Sequence, residues 1–89
     1  MPDIRHEPAL QRFTLMNTED GEIGLLQYRI ADGRFDITDT RINPKYRGQG
    51  LARHLVNAAV AEAEKLGLDL ASSCDYAEAI LVREGRLKG

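Results

Sequence analysis

The sequence predicts a mixed α/β (α+β) domain: an antiparallel three-strand meander, then a strand–helix–strand unit, then a short C-terminal helix. Three observations carry this. Residues 11–42 hold three apolar segments, the first and third alternating with period two, cut by clusters of turn formers; residues 51–66 change to a helical period; and a short apolar stretch follows Gly67. Eighty-nine residues accommodate a single core, so residues 1–89 are expected to form one domain.

Residues 3–10 carry mixed charge and Pro8, and are read as a lead-in rather than an element. From Gln11 the pattern alternates, with Phe13 and Leu15 on one face and Arg12 and Thr14 on the other. The turn formers Asn17 to Gly21 end that strand. A second strand over Glu22 to Ile30 brings Ile23, Leu25, Leu26, Tyr28 and Ile30, and Ala31-Asp32-Gly33 supplies a tight hairpin. The third strand, Arg34 to Ile42, sets Phe35 and Ile37 opposite Asp36 and Thr38. Asn43-Pro44 breaks it, and Lys45 to Gly50 form a basic loop containing glycine.

Leu51, Leu55, Ala59, Ala63 and Leu66 then define one helical stripe, flanked by Ala52, Val56 and Val60, with Arg53, Asn57, Glu64 and Lys65 away from it. Gly67 suits the left-handed stop. A strand over Leu68 to Ser73 and a helix from Asp75 to Arg83 complete the chain. Joined by a helical crossover, the third and fourth strands are expected to be parallel.

Composition excludes several classes of function. The chain is 43% apolar and 29% charged, with net charge −2, a balance that attracts neither nucleic acid nor an anionic membrane. Its single cysteine, Cys74, forms no internal disulfide, which excludes a secreted disulfide scaffold. The first seven residues lack the apolar stretch of a signal peptide, and no apolar run approaches the ~20 residues a bilayer requires. A cytoplasmic location is expected. His6 and His54 share no ligand spacing with each other or with Cys74, so no metal is expected, and His54 is placed on the helix surface or its edge.

The informative segment is Arg47-Gly48-Gln49-Gly50-Leu51-Ala52, between a strand and the start of the long helix. A helix start leaves backbone N–H groups unpaired and concentrates partial positive charge. Glycines before it let a ligand approach the backbone closely. Together they suit phosphate or pyrophosphate, with Lys45, Arg47 and Arg53 adding positive charge in an acidic protein. Leu51-Ala52-Arg53 follows the second glycine, so this is no Walker A loop; a dinucleotide fingerprint would need a third glycine and an acid ending the next strand, which ends in Ser72-Ser73. The plainer reading is a glycine turn that only starts a helix.

Arg47-x-x-Gly50-x-Ala52 matches the Gln/Arg-x-x-Gly-x-Gly/Ala signature of the GCN5-related N-acetyltransferases, and the run from Thr38 to Ala52 resembles their very short bacterial YjdJ-like class. The resemblance covers roughly residues 5 to 80: a lead-in with a histidine, the Phe13-x-Leu15 strand, an Asp-Gly hairpin, the signature loop, and Cys74-x-Tyr76 after the last strand. It implies a compact fold of that family and a site for acetyl-coenzyme A (acetyl-CoA). The pyrophosphate would lie on the amides of Arg47, Gly48, Gln49, Gly50, Leu51 and Ala52 beside Arg53, and the pantetheine along Arg41, Ile42 and Asn43 where the two parallel strands splay.

The same resemblance implies transfer of acetyl to an unidentified amine acceptor. Tyr76 would protonate the departing thiolate; alternatively it packs the last helix on the sheet. Cys74 would be a nucleophile or would line the pocket; a nucleophilic role needs a lowered pKa, which a helix start supplies, yet a lone cysteine is commonly a small buried hydrophobe. Asp39 stands where the family often has histidine, and either takes the amine proton through water or is a solvated strand residue.

Two departures fall on the acceptor side. Ser72 replaces a proline two residues before the cysteine, and no His-Pro-Glu-Tyr-like tail follows the last helix. Without the N-terminal helices of larger acetyltransferases, an open cleft suits a protein amine or a pocket completed by a homodimer. The competing reading is a module that binds acetyl-CoA without transferring it. A small interaction domain with no cofactor would leave both glycines and the charged cluster unexplained.

Overall fold

The computed structural model describes residues 2–87. One five-stranded sheet runs in chain order: β1 (Asp3–Glu7), β2 (Arg12–Asn17), β3 (Gly21–Ala31), β4 (Arg34–Ile42) and β5 (Asp69–Ser72). The first four strands are antiparallel to their neighbours, and β5 is parallel to β4. Helix α1 (Leu51–Leu66) crosses between β4 and β5, and α2 (Asp75–Arg83) follows. The βαβ unit and its parallel pair stand as expected.

The meander has four strands, not three. The lead-in is β1, an edge strand whose Asp3, Ile4 and Arg5 are exposed, so it lacks the apolar alternation by which strands are read. Its position comes from the ladder to β2 and from His6, which stacks on its cross-strand partner Phe13 at 4.2 Å and bonds the Tyr28 hydroxyl at 2.6 Å. Pro8 starts a 3₁₀ turn, and Gln11 closes it in the left-handed region at φ 52° rather than opening β2. Asp32 and Gly33 both have positive φ, 54° and 74°, the geometry of a type I′ hairpin.

The core joins the inward residues of the sheet, among them Phe13, Leu15, Leu26, Tyr28, Phe35 and Ile37, to one face of α1 and to Ala77, Ile80 and Leu81 of α2. The α1 stripe is buried from Leu51 to Ala63, whereas Leu66, in the last turn, is 47% exposed. Gly67 then turns left-handed at φ 68°, its N–H bonding the carbonyls of Ala63 and Glu64. Both helices share this one core, so among the described residues the other face of the sheet is uncovered.

An irregularity in β4 positions the site. Gln27 pairs with Asp39 but Tyr28 pairs with Ile37, so Thr38 is an extra residue. Such a bulge shifts which side chains face inward. Phe35 and Ile37 are buried before it, Thr40 and Ile42 after it.

Candidate active site

The strand gap predicted between the parallel strands lies at this bulge. β5 pairs with β4 only from Arg34 to Ile37. Beyond that, the N–H groups of Ser73 and Cys74 both donate to the Ile37 carbonyl, at 2.9 and 3.2 Å, and the chain turns away into α2. β4 runs on to Ile42, paired with β3 on one side and, among the described residues, with no strand on the other. Asn43 N–H donates to the Ile23 carbonyl at 2.8 Å. The alternation of an antiparallel ladder therefore turns the main-chain groups of Thr40 and Ile42 to the open side. Arg41 and Asn43 bond toward β3 by the same count, so along Arg41–Asn43 the main chain open to a ligand is that of Ile42, joined by Thr40.

At the end of this edge the Asn43 side chain accepts from Lys45 N–H at 3.0 Å, and a 3₁₀ turn over Pro44–Tyr46 leads into the glycine loop. Gly48 and Gly50 take φ of 84° and 73°, values that favour glycine, and a Cβ on either would meet nothing within 4 Å. The glycines thus serve backbone conformation and an open approach, not packing. Gly50 caps α1 without a side-chain hydrogen bond, and no acid lies in the first turn. The start of α1 accordingly leaves N–H groups that no side chain caps and no acid of the first turn neutralises.

The local charge is more balanced than the sequence suggests. Lys45 pairs with Asp20 at 3.0 Å, Arg53 with Glu84 at 2.9 Å and Arg41 with Asp39 at 2.8 Å. Asp20 also accepts from the Tyr46 hydroxyl, and this bond, then that of Lys45, holds its carboxyl below the usual value. Lys45 is raised in turn by Asp20. Of the basic residues around the loop, Arg47 alone is exposed with no ion pair among the described residues.

Cys74 and Asp39 flank the point where the strands part. Cys74 is half-buried against the core, directly before α2; its backbone N–H donates to Ser72 Oγ at 3.2 Å, and that hydroxyl donates to the Cys74 carbonyl at 2.8 Å. Asp75 and Glu78 occupy the first turn of α2. They complement the helix dipole. Tyr76 does not pack α2 on the sheet: it is 51% exposed, and its hydroxyl makes no hydrogen bond among the described residues. His54 is exposed on α1.

Three features here were not read from the sequence. The Thr38 bulge leaves no mark in composition or spacing. The open main chain of Thr40 follows from that bulge and the ladder. Ser72 was visible only as a departure from the family pattern; in the fold it clasps Cys74 at the end of β5.

A family profile described as GCN5-related N-acetyltransferase matches residues 12–88. Among solved structures, the chain is 25% identical to a GCN5-like protein of Staphylococcus aureus, with a TM-score of 0.74 over 92% of this chain and 79% of that one. The ribosomal-protein-S18-alanine N-acetyltransferase of Escherichia coli superposes with a TM-score of 0.68 at 23% identity, over 83% of this chain and 50% of that one. A Bacillus subtilis acetyltransferase in complex with CoA gives 0.66 at 19% identity, over 83% and 52%. The chain thus spans about half the length of the last two. No curated protein sequence gives a significant match.

Proposed function

The chain belongs to the GCN5-related N-acetyltransferase family, whose acyl donor is acetyl-CoA, and on that footing we propose that it moves an acetyl group from acetyl-CoA to an amine. The observation that carries the proposal is one continuous surface: an unpaired strand edge at Thr40 and Ile42 running into two left-handed glycines and an uncapped helix start. An extended amide-bearing arm ending in a pyrophosphate fits that succession, since strand edges bond amides and helix starts bond phosphate.

Acetyl-CoA supplies a thioester, and transfer forms a C–N bond, breaks the C–S bond, removes one proton from the amine and returns one to sulfur. The amides of Gly48 to Ala52 would hold the pyrophosphate, with Arg47, which has no ion pair among the described residues, beside them. The edge of β4 directs the arm toward Ile37, where β5 leaves. Asp39, ion-paired to Arg41, takes the amine proton through water. Tyr76, exposed after the gap with an unengaged hydroxyl, gives a proton to sulfur. Cys74 lines the pocket, since it packs on the core at the end of β5.

The test starts with calorimetric titration of acetyl-CoA, followed by release of free CoA thiol across a panel of amines. Tyr76→Phe is expected to lower kcat about a hundredfold while leaving acetyl-CoA affinity intact. Cys74→Ala is expected to retain transfer within a few fold, and the wild-type protein to show no acetylated Cys74 by intact mass. Binding of acetyl-CoA with no thiol released by any amine would establish the module that only binds.

A further inference from the structure

We propose that the cavity on the uncovered face of the sheet holds the acceptor, and that this acceptor is a small amine bearing a carboxylate, of the amino-acid class. The proposal rests on the acetyl-transfer reading and names the substrate class of that same site.

The cavity measures about 630 Å³ and is lined by Arg29, Arg34, Asp36, Thr38, Ser72 and Ser73 among others. That volume lies within the usual range for small-molecule sites, roughly 300–1,000 Å³. It reaches Thr38, the bulged residue at which β4 and β5 part, so a molecule seated in it touches the point toward which the open β4 edge leads.

Its charges are poorly satisfied from within. Arg29 lies directly across the ladder from Asp36, and Arg34 across from Asp69, on the same face of the sheet. Opposite charges so placed attract one another. Yet neither arginine makes an ion pair among the described residues. Asp36 Oδ2 accepts from Ser73 Oγ at 2.7 Å, while Oδ1 is covered and has no partner among the described residues. A covered carboxylate oxygen without a donor is costly, and rotation about the soft terminal torsion of an aspartate brings it to an incoming N–H.

Two guanidinium groups and one carboxylate in a single cavity match a molecule that carries both signs. The geometry seats its carboxylate on Arg29 and Arg34 and its amine on Asp36, next to Thr38 and the strand gap. A simple polyamine would leave both arginines unpaired, and a simple dicarboxylate would leave Asp36 without a donor.

The experiment is nuclear magnetic resonance of the isotope-labelled full chain, titrated with acetyl-CoA and separately with L-lysine, glycine, β-alanine and cadaverine. Cadaverine keeps the carbon chain and amines of lysine but lacks its carboxylate. Saturable shifts of the Arg29, Arg34, Asp36 and Ser73 amides with at least one amino acid, and binding of cadaverine at least tenfold weaker, are expected. Arg34→Gln, at an exposed position, is expected to weaken amino-acid binding about tenfold and to raise its KM with kcat held, leaving the acetyl-CoA shifts of Gly48 and Gly50 unchanged. Equal binding of cadaverine and lysine, no shift at these amides with any of the three amino acids, or indifference to Arg34→Gln overturns the proposal. A response of this face to acidic peptides but not to amino acids overturns it too. Loss of the acetyl-CoA shifts at Gly48 and Gly50 would instead strike the acetyl-transfer reading, so the two failures are distinct.

Discussion

Replacing Gly50 with alanine separates backbone strain from ligand binding, because Gly67 offers a matched control on the same helix. The two glycines flank α1 at φ 73° and 68°, and a Cβ at either position meets nothing within 4 Å. Holding alanine in the left-handed region costs about 1–2 kcal/mol at each site. For a domain of this length each kilocalorie lowers the melting temperature by roughly 4–8 °C, so both variants should melt about 5–15 °C lower. Their effects on the donor should differ. At Gly50 the added Cβ enters the space over the start of α1; displacing the pyrophosphate from one amide there forfeits about 1.5–3 kcal/mol, a roughly ten- to hundredfold loss of affinity. At Gly67 the same strain arises at the opposite end of the helix, and affinity should be unchanged. Calorimetric titration of acetyl-CoA well below the lower melting point reads both. Wild-type affinity in Gly50→Ala, or equal losses in the two variants, would refute the phosphate role of the loop.

Gly24→Ala brings a Cβ to 2.9 Å from Ile42 Cδ1 and 3.3 Å from Leu15 Cβ, and should cost about 1–3 kcal/mol in urea denaturation. Tyr28→Phe removes the partner of His6 Nε2 and should cost about 0.5–1.5 kcal/mol by the same assay. Burial, then the charge of Glu62, raises the Tyr28 phenol above its ordinary 10.0. That contribution is complete below pH 10.0 and is lost as pH rises through the folded value, so the alkaline fall in wild-type stability should flatten in Tyr28→Phe. Asp20 is held below its ordinary 3.8 by Tyr46 and Lys45, so its contribution is present above that value and is lost as pH falls through the lower folded one. Asp20→Asn should therefore reduce the acid sensitivity of the urea midpoint between pH 5 and 2.

Most of the fold could be read because its determinants are local. The helix announces itself by its stripe and by Gly67, and β4 by the alternation of Phe35 and Ile37, so both have the expected ends. β1 is not legible in its own residues, which carry an edge strand's charges; its place is set by Phe13 on the next strand and by Tyr28, 22 residues from His6. For the site, the glycine loop was legible because left-handed backbone at Gly48 and Gly50 demands a particular residue type. The strand gap depends on where pairing stops, which no residue encodes by itself. The electrostatics were overstated for a related reason: Asp20 and Glu84, which neutralise Lys45 and Arg53, lie 25 and 31 residues away along the chain.

Strand order that follows chain order has a kinetic consequence. The first four strands can zip by successive hairpins, each closing a short loop, whereas β5 must wait for the crossover through α1. β5 then contributes only four residues of ladder, so the Asp69–Ser72 strand is expected to open before the interior strands of the meander. A molecule lodged between β4 and the turn into α2 spans the early and the late parts of the chain. By mass action it would slow hydrogen exchange of the Asp69–Leu81 amides well before it protected the hairpins, making the last segment to arrive the one most firmly kept.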